Sequence, residues 1–250
     1  MASKQRRLSK REKLRQERDM DHLVSILNTK FAMREIQPLT PTQGDLFQSY
    51  QEGYNVAAIG TAGTGKTMCA TYLALKDVLE KGEYEKVVII RSAVQTREQG
   101  FVPGTLEQKE AIFELPYIDI VNDLFSRKDA YQILKQKDMI RFTTSSNIRG
   151  LTFDNSIIMV DECQSMNYHE LDTIITRVGE SSKIIFCGDT KQDDLATSKN
   201  KADTSGLYDF LKVINQIASF EVINFGVDDI VRSGLVKEYI IAKERFLEVA

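Results

Sequence analysis

The feature that most constrains this chain is a glycine-rich octapeptide, Gly-Thr-Ala-Gly-Thr-Gly-Lys-Thr, at positions 60–67. A short apolar run, residues 55–59, precedes it, and residues 68–81 supply helix-forming side chains that end at Gly82. A strand, a glycine loop and a helix in this order are typical of a phosphate-binding loop, because glycines let successive backbone N–H groups turn toward one phosphate. The sequence therefore predicts a site for a nucleoside triphosphate.

The two residues that end the octapeptide predict what the loop would hold. A lysine at this position reaches the β- and γ-phosphates, and the hydroxyl of the next residue binds Mg²⁺. A glycine turn without a ligand is the alternative, and the adjacent lysine and threonine argue against it. The predicted nucleotide-binding residues are Gly60, Thr61, Ala62, Gly63, Thr64, Gly65, Lys66 and Thr67.

Apolar runs and amphipathic segments alternate along the rest of the chain. Alternation of strands with helices predicts an α/β fold with a parallel sheet covered by helices on both faces. Ligand chemistry in such a fold gathers where the strands end. A long connection without predicted structure covers residues 92–115. Strands are predicted at 86–91, 140–144, 156–160, 183–187 and 220–224, and helices at 118–125, 131–137, 171–178, 207–217 and 228–246.

Two acidic residues follow the strand at 156–160, which we expect beside the strand of the phosphate loop. Asp161 would hold Mg²⁺, and Glu162, directed away from it by strand alternation, would polarise the attacking water as a general base. A solvent-exposed acidic turn is the alternative. Gln192 follows the next strand and can hydrogen-bond a γ-phosphate or its water. Adjacent acids after a phosphate loop favour hydrolysis over binding alone.

Charge is distributed unevenly along the chain. The first 18 residues carry eight basic and two acidic side chains, although the net charge of the chain is −3. A basic flexible arm on an acidic body is common among nucleic-acid-binding proteins, and a solvated leader without a partner is the alternative. The spacing of Met20, Leu23 and Leu27 predicts an N-terminal helix over residues 19–36.

Cysteine usage and hydropathy bear on the compartment. The three cysteines lack C-x-x-C spacing, which favours a reducing compartment and argues against a zinc site. No apolar stretch approaches the length of a transmembrane helix. We therefore expect a cytoplasmic protein that does not interact with a membrane.

A series of short segments, in order along the chain, resembles a known family. They are 38–40 with Gln43, 60–67, 91–94, 100–104, 149–152, 161–164, 176–179, 188–195 and 229–232. Together they resemble PhoH-family ATPases of the phage-encoded kind, which are similar to the first RecA-like domain of superfamily 1 helicases. The resemblance implies a RecA-like P-loop NTPase domain over residues 37–250, with ATP and Mg²⁺ as ligands and ATP hydrolysis as the reaction. For a phage protein the compartment would be the bacterial host cytoplasm.

The resemblance also implies roles for single residues and for partners. Gln43 matches a glutamine that pairs with adenine N6 and N7, and Gln192 matches a γ-phosphate sensor. Arg232 matches an arginine finger that acts on a neighbour's nucleotide. Arg91 and Arg149 match positions that contact nucleic acid or a neighbouring subunit, with surface salt bridges as the alternative. The implied partners are single-stranded RNA, with DNA as second candidate, and further copies of the chain in a homo-oligomer such as a hexameric ring.

Two other functions stay open at this stage. A small-molecule kinase could use the same fold, but the paired acids, Gln192 and the lack of an arginine-rich lid between Asp189 and Ser205 argue against it. A nucleotide-gated binding module with negligible turnover is the other candidate. Glu162 discriminates between hydrolysis and such a module, because hydrolysis uses a general base and binding alone does not.

Overall fold

The computed structural model describes residues 31–92, 106–189 and 205–249. Short 3₁₀ turns link several of its elements. In chain order the helices and strands are α1 (Pro41–Gln51), β1 (Asn55–Gly60), α2 (Lys66–Lys76, continued by a π-helical turn, Asp77–Lys81), β2 (Lys86–Arg91), α3 (Leu106–Leu124), α4 (Ala130–Gln136), β3 (Ile140–Thr144), β4 (Ser156–Asp161), α5 (Tyr168–Ile175), β5 (Lys183–Gly188), α6 (Leu207–Ile214), β6 (Phe220–Phe225) and α7 (Gly234–Val249).

The six strands form one sheet in the order β3-β2-β4-β5-β1-β6, and every pairing is parallel. All residues of β4 and β5 are buried. This burial explains their nearly continuous apolar sequences. A strand covered on both faces has no solvent-exposed face, so polar residues do not alternate with apolar ones. Each predicted strand is confirmed within one residue.

Alternate residues of β1 enter two separate cores. Val56 and Ala58 pack with residues of α1, α2, α3 and α4, whereas Ala57 and Ile59 pack with residues of α5 and α6. Helices thus cover both faces of a parallel sheet, which confirms the RecA-like α/β fold class.

The strand order corrects one expectation about the site. β4, which ends in Asp161, is not beside β1, because β5 lies between them. Two strand spacings separate β1 from β4 by about 10 Å. α2 bridges this gap, since it packs on both β4 and β5 and its second residue, Thr67, contacts Asp161.

The long connection predicted over residues 92–115 is partly helical. α3 begins at Leu106 rather than near residue 118, and it continues through Pro116. A proline inside a helix removes the bond to the carbonyl four residues earlier, here that of Ile112. Ile112 lies on the exposed side of α3, where water can replace that bond. Residues 93–105 lie outside the described part of the chain.

The region before β1 differs from its prediction. Residues 31–40 contain no helix, so the helix predicted over 19–36 does not reach residue 36; residues 19–30 and the basic arm, 1–18, lie outside the described ranges. The unpredicted α1 begins at Pro41 and is capped by Thr40, whose hydroxyl accepts a bond from the Gln43 amide.

The closing helix also starts later than predicted. A 3₁₀ turn (Val227–Asp229) follows β6, and α7 begins only at Gly234 rather than at residue 228. Within the described ranges, none of the helices is both long and apolar enough to cross a membrane.

Candidate nucleotide-binding site

A cavity of 780 Å³ opens at the carboxyl ends of β1, β4 and β5. Its position matches the expectation that ligand chemistry gathers at the strand ends of a parallel sheet. It brings together predicted residues from four regions of the chain. Those that line it are Gln43, residues 62–67, Asp161, Glu162 and Arg232.

The glycines of the phosphate loop are required by its backbone. Gly60 has φ of +129°, and a Cβ at this position would lie 2.0 Å from the carbonyl oxygen of Phe225. Gly65 has φ of +84°, and a Cβ there would lie 2.9 Å from Nε2 of Gln43. α2 begins directly after Gly65, and no side chain caps its first turn. The uncapped amides and the helix dipole favour an anion at this point.

The Lys66 side chain lies within the loop that precedes it. Its ammonium donates to the carbonyl oxygens of Gly60 at 2.8 Å and Thr61 at 2.7 Å. Burial lowers the pKa of Lys66, and nearby acidic groups, first among them Asp189, oppose the shift. An ammonium held this way stays close to any phosphate bound by the loop.

Thr67, in the first turn of α2, contacts Asp161 at the end of β4 although β5 separates β4 from β1. The Thr67 hydroxyl donates to Oδ1 of Asp161 at 3.1 Å and lies 3.3 Å from Oδ2. A hydroxyl beside a carboxylate is a hard-oxygen donor pair that suits Mg²⁺, which keeps several waters and phosphate oxygens as further ligands. The described ranges contain no cluster of three or more His, Cys, Asp or Glu side chains able to hold a metal. A magnesium ion that enters with a triphosphate needs no such cluster.

Glu162 lines the same cavity as Asp161, which strand alternation alone would not allow. Its φ of +53° places it in the left-handed region, so the strand geometry ends there. Oε2 of Glu162 accepts a bond from Nε2 of Gln164, and Oε1 of Gln164 accepts one from the backbone amide of Asp189 at 2.9 Å. Gln164 therefore ties Glu162 to the end of β5. Gln192, further along that connection, lies outside the described residues.

Gln43 is almost completely buried beside the loop. Its Nε2 donates to the carbonyl oxygen of Thr64, and its Oε1 accepts from the amide of Leu39, both at 2.8 Å. A carboxamide has two donors and two acceptor lone pairs, so one of each remains for a base. The amide therefore also fixes the loop, a role that the sequence did not indicate.

Arg232 lies against the phosphate loop of its own chain. A Cβ on Gly63 would lie 2.9 Å from Cγ of Arg232, and the amide of Val231 donates to the Gly63 carbonyl at 3.1 Å. The expected finger on a neighbour's nucleotide gains no support from this position. Of the other two arginines, Arg91 lies 5.5 Å from the ring centroid of Phe113, and Arg149 is exposed.

Sequence reasoning missed the group that contacts Asp161 from the other side. The buried hydroxyl of Tyr117 in α3 donates to Oδ2 of Asp161 at 2.8 Å. No sequence pattern links these residues, because the contact depends on how α3 docks on the sheet.

The protein-family model described as "PhoH-like protein" matches residues 35–244. The "PhoH-like protein" of Bacillus subtilis (strain 168) is 30% identical over 213 residues, which cover 85% of this chain and 65% of that protein. "Protein PhoH2" of the same organism is 36% identical over 143 residues, 56% of this chain and 32% of that protein. "Protein PhoH" of Escherichia coli (strain K12) is 29% identical over 182 residues, 72% of this chain and 50% of that protein.

The chain thus spans between 32% and 65% of the lengths of these curated relatives. They are bacterial proteins, so the phage-encoded kind stays an expectation. Among solved structures, a large terminase from a thermophilic bacteriophage has a TM-score of 0.46 at 12% identity, over 81% of this chain and 50% of that chain. The TM-score is too low to bear on function, and the fold assignment rests on the sheet topology. The family match covers most of the chain and includes every described residue of the cavity except Arg34. The chain therefore belongs to the PhoH-like protein family.

Proposed function

We propose that this chain binds ATP with Mg²⁺ in the cavity and hydrolyses it. The family and the phosphate loop make the chain a nucleotide-binding P-loop protein of the ATPase class. The observation that supports hydrolysis most directly is the meeting of Thr67, Asp161 and Glu162 at one end of the cavity. A hydroxyl and a carboxylate for the metal stand there beside a second carboxylate that can accept a proton.

Different residues of the cavity would serve different parts of the reaction. The loop amides and Lys66 bind the β- and γ-phosphates, and Thr67 with Asp161 would hold Mg²⁺, which supplies positive charge against the phosphate oxygens. Glu162 accepts a proton from a water that attacks the γ-phosphorus. The bond between that phosphorus and the β–γ bridging oxygen breaks, which releases ADP and phosphate. Gln43 would contact the base, and Gln192 the γ-phosphate.

Glu162→Gln tests hydrolysis separately from binding. The amide cannot accept the proton, so phosphate release should fall by about 10²- to 10⁴-fold while ATP affinity stays near that of the wild type. Lys66→Ala should weaken ATP binding itself. Unchanged phosphate release in Glu162→Gln would contradict the general-base role and favour a binding module. Labelled product other than phosphate from γ-labelled ATP would favour a kinase.

Arg232 is assigned to the nucleotide of its own chain. Its contact with Gly63 puts a cation at the edge of the phosphate loop, where it can stabilise charge on the transferring phosphoryl group. The neighbouring Val231 holds this segment in place through the Gly63 carbonyl.

Single-stranded nucleic acid, RNA first, is the proposed partner. Support comes from the family and from the eight basic side chains among the first 18 residues. ATP hydrolysis should rise when single-stranded RNA is added. Deletion of residues 1–18 should weaken RNA binding and flatten its dependence on salt, because fewer counterions are released, while ATP affinity is retained. If the deletion left RNA affinity unaltered, the arm would have no role in RNA binding.

Assembly into a homo-oligomer is proposed from the surface of α7. This helix exposes large apolar side chains, with Leu235 at 79%, Tyr239 at 66% and Phe246 at 73% exposure. Exposed apolar side chains gathered on one element are typical of an interaction surface. The mass of the protein in solution, measured with and without ATP, tests this proposal.

A further inference from the structure

Tyr117 is a buried polar residue of α3 whose hydroxyl reaches the metal-binding end of the cavity. Its side chain is fully buried, and its ring centroid lies 5.7 Å from that of Phe142. The hydroxyl donates to Oδ2 of Asp161 at 2.8 Å. The packed ring leaves the hydroxyl little freedom, so the acceptor oxygen is fixed in turn.

The two carboxylate oxygens of Asp161 differ in the hydrogen bonds that they accept. Thr67 contacts both at nearly equal distances, 3.1 Å to Oδ1 and 3.3 Å to Oδ2. That contact alone does not distinguish one oxygen from the other. The shorter bond from Tyr117 does, because it engages Oδ2 and leaves Oδ1 as the oxygen nearer to Thr67.

We infer that Tyr117 is a positioning residue that anchors Oδ2 of Asp161 and thereby presents Oδ1, beside the Thr67 hydroxyl, to the metal. The inference rests on the proposed function, since it requires Asp161 to hold Mg²⁺. Hydrogen bonds to a ligating carboxylate from outside the coordination sphere fix its orientation, and their loss typically costs 10- to 100-fold in metal affinity or activity. Tyr117 itself would touch neither metal nor nucleotide.

The alternative is that the bond only gives the buried hydroxyl of Tyr117 a hydrogen-bond partner and has no effect on metal binding. Tyr131 provides a matched comparison, because it is also fully buried and donates to a carboxylate, Oε1 of Glu114, at 2.6 Å. Glu114 and Tyr117 both lie on α3. The hydrogen bond of each tyrosine therefore involves this helix. Only one of the two bonds reaches Asp161.

The test compares Tyr117→Phe with Tyr131→Phe in the full chain. Each variant loses one buried hydroxyl and keeps its ring. Binding of a fluorescent ATP analogue is measured in EDTA and then across a Mg²⁺ titration, and ATP hydrolysis is measured at saturating Mg²⁺. For Tyr117→Phe we expect the half-saturating Mg²⁺ concentration to rise by about 10- to 100-fold. Affinity in EDTA and the rate at saturating Mg²⁺ should change much less, and Tyr131→Phe should titrate like the wild type.

The possible results separate this inference from the proposed function. Equal Mg²⁺ titrations for the two variants, or a loss of binding in EDTA that is confined to Tyr117→Phe, would overturn the positioning role. A wild-type protein whose nucleotide binding did not respond to Mg²⁺ would instead contradict the proposed metal site. Melting temperatures of the two variants without nucleotide report whether either change disturbs the core.

Discussion

Burial raises the pKa of the Asp161 carboxyl from its usual 3.8 to about 6, with Glu162 as the second cause. The hydroxyl bonds from Tyr117 and Thr67 oppose this shift without cancelling it. A carboxyl whose pKa is higher in the folded than in the unfolded state stabilises the fold fully only below about pH 4. That contribution is lost as the pH rises to about 6, because the folded state then has to ionise a buried group.

Asp161→Asn should therefore stabilise the protein in EDTA at neutral and alkaline pH. A shift of this size corresponds to about 2–3 kcal/mol in the free energy of unfolding at pH 8, with little difference from the wild type at pH 4. Urea unfolding across this pH range measures it. Asp119→Asn, which changes an exposed carboxylate on α3, is the control. A gain that did not vary with pH would contradict the assigned cause. Mg²⁺-dependent ATP binding should be lost in Asp161→Asn, and this result together with the gain in stability would show that the carboxylate serves the metal at a cost in stability.

The sequence could predict the roles of side chains that lie in a recognisable local pattern of neighbouring residues. Lys66 and Thr67 follow a loop whose glycines are required by its backbone, and Asp161 ends a buried strand. The contacts that orient these groups were not predictable, since Tyr117 and Gln164 act through space. Their partners depend on the docking of α3 and on a left-handed backbone that no local pattern signals.

At the scale of elements, the segment after β6 joins α1 to the phosphate loop. The carboxylate of Asp229 accepts a bond from the amide of Gly226 at 2.9 Å. Burial acts to raise the pKa of Asp229, but hydrogen bonds from this amide and from the hydroxyls of Thr40 and Thr42 outweigh it and lower the pKa. Val231, two residues on, donates to the loop. Asp229 therefore fastens the segment that carries Arg232 to the start of α1.

Asp229→Ala should loosen this connection. The change removes a nearly buried carboxylate with several donors, for which we expect a loss of about 1–3 kcal/mol in stability. ATP affinity should fall as well, because Arg232 and the loop lose their support. Asp228→Ala is the matched control, since Asp228 is the exposed neighbour in the same turn. Thermal unfolding and nucleotide titration measure both effects, and equal behaviour of the two variants would show that the carboxylate does not hold the segment.

Strands were easier to predict than helix bounds or strand order. Buried strands such as β4 are short, nearly continuous apolar runs, which is a local pattern that the sequence displays directly. The prediction began this helix near residue 118, whereas α3 begins at Leu106 and continues through Pro116, which its exposed side accommodates. The insertion of β5 between β1 and β4 is a property of the whole sheet, and no short segment encodes it.

At the scale of the whole molecule, the described residues of the cavity include every predicted catalytic group except Gln192. One chain thus brings the loop, the proposed metal ligands, the proposed general base and Arg232 to the same cavity. An oligomer formed through the apolar face of α7 would then serve the binding of nucleic acid rather than completion of the catalytic site. The difference is experimentally accessible, because catalytic groups shared between subunits can complement one another and groups within one subunit cannot.

Mixing two inactive variants tests whether Arg232 acts within its own chain. Lys66→Ala lacks the ammonium that we propose binds the phosphates. Arg232→Ala lacks a cation that, by analogy with arginine fingers, would be worth roughly 10³-fold or more in rate. If Arg232 acted on a neighbour, a mixed oligomer would pair an intact loop from one subunit with an intact arginine from the other and recover activity. The contact between Arg232 and Gly63 of the same chain leads us to expect no recovery at any mixing ratio. Differently tagged subunits purified through both tags establish that the variants have assembled together. Recovered ATP hydrolysis in that doubly purified material would show that Arg232 leaves its own loop and serves the adjacent subunit.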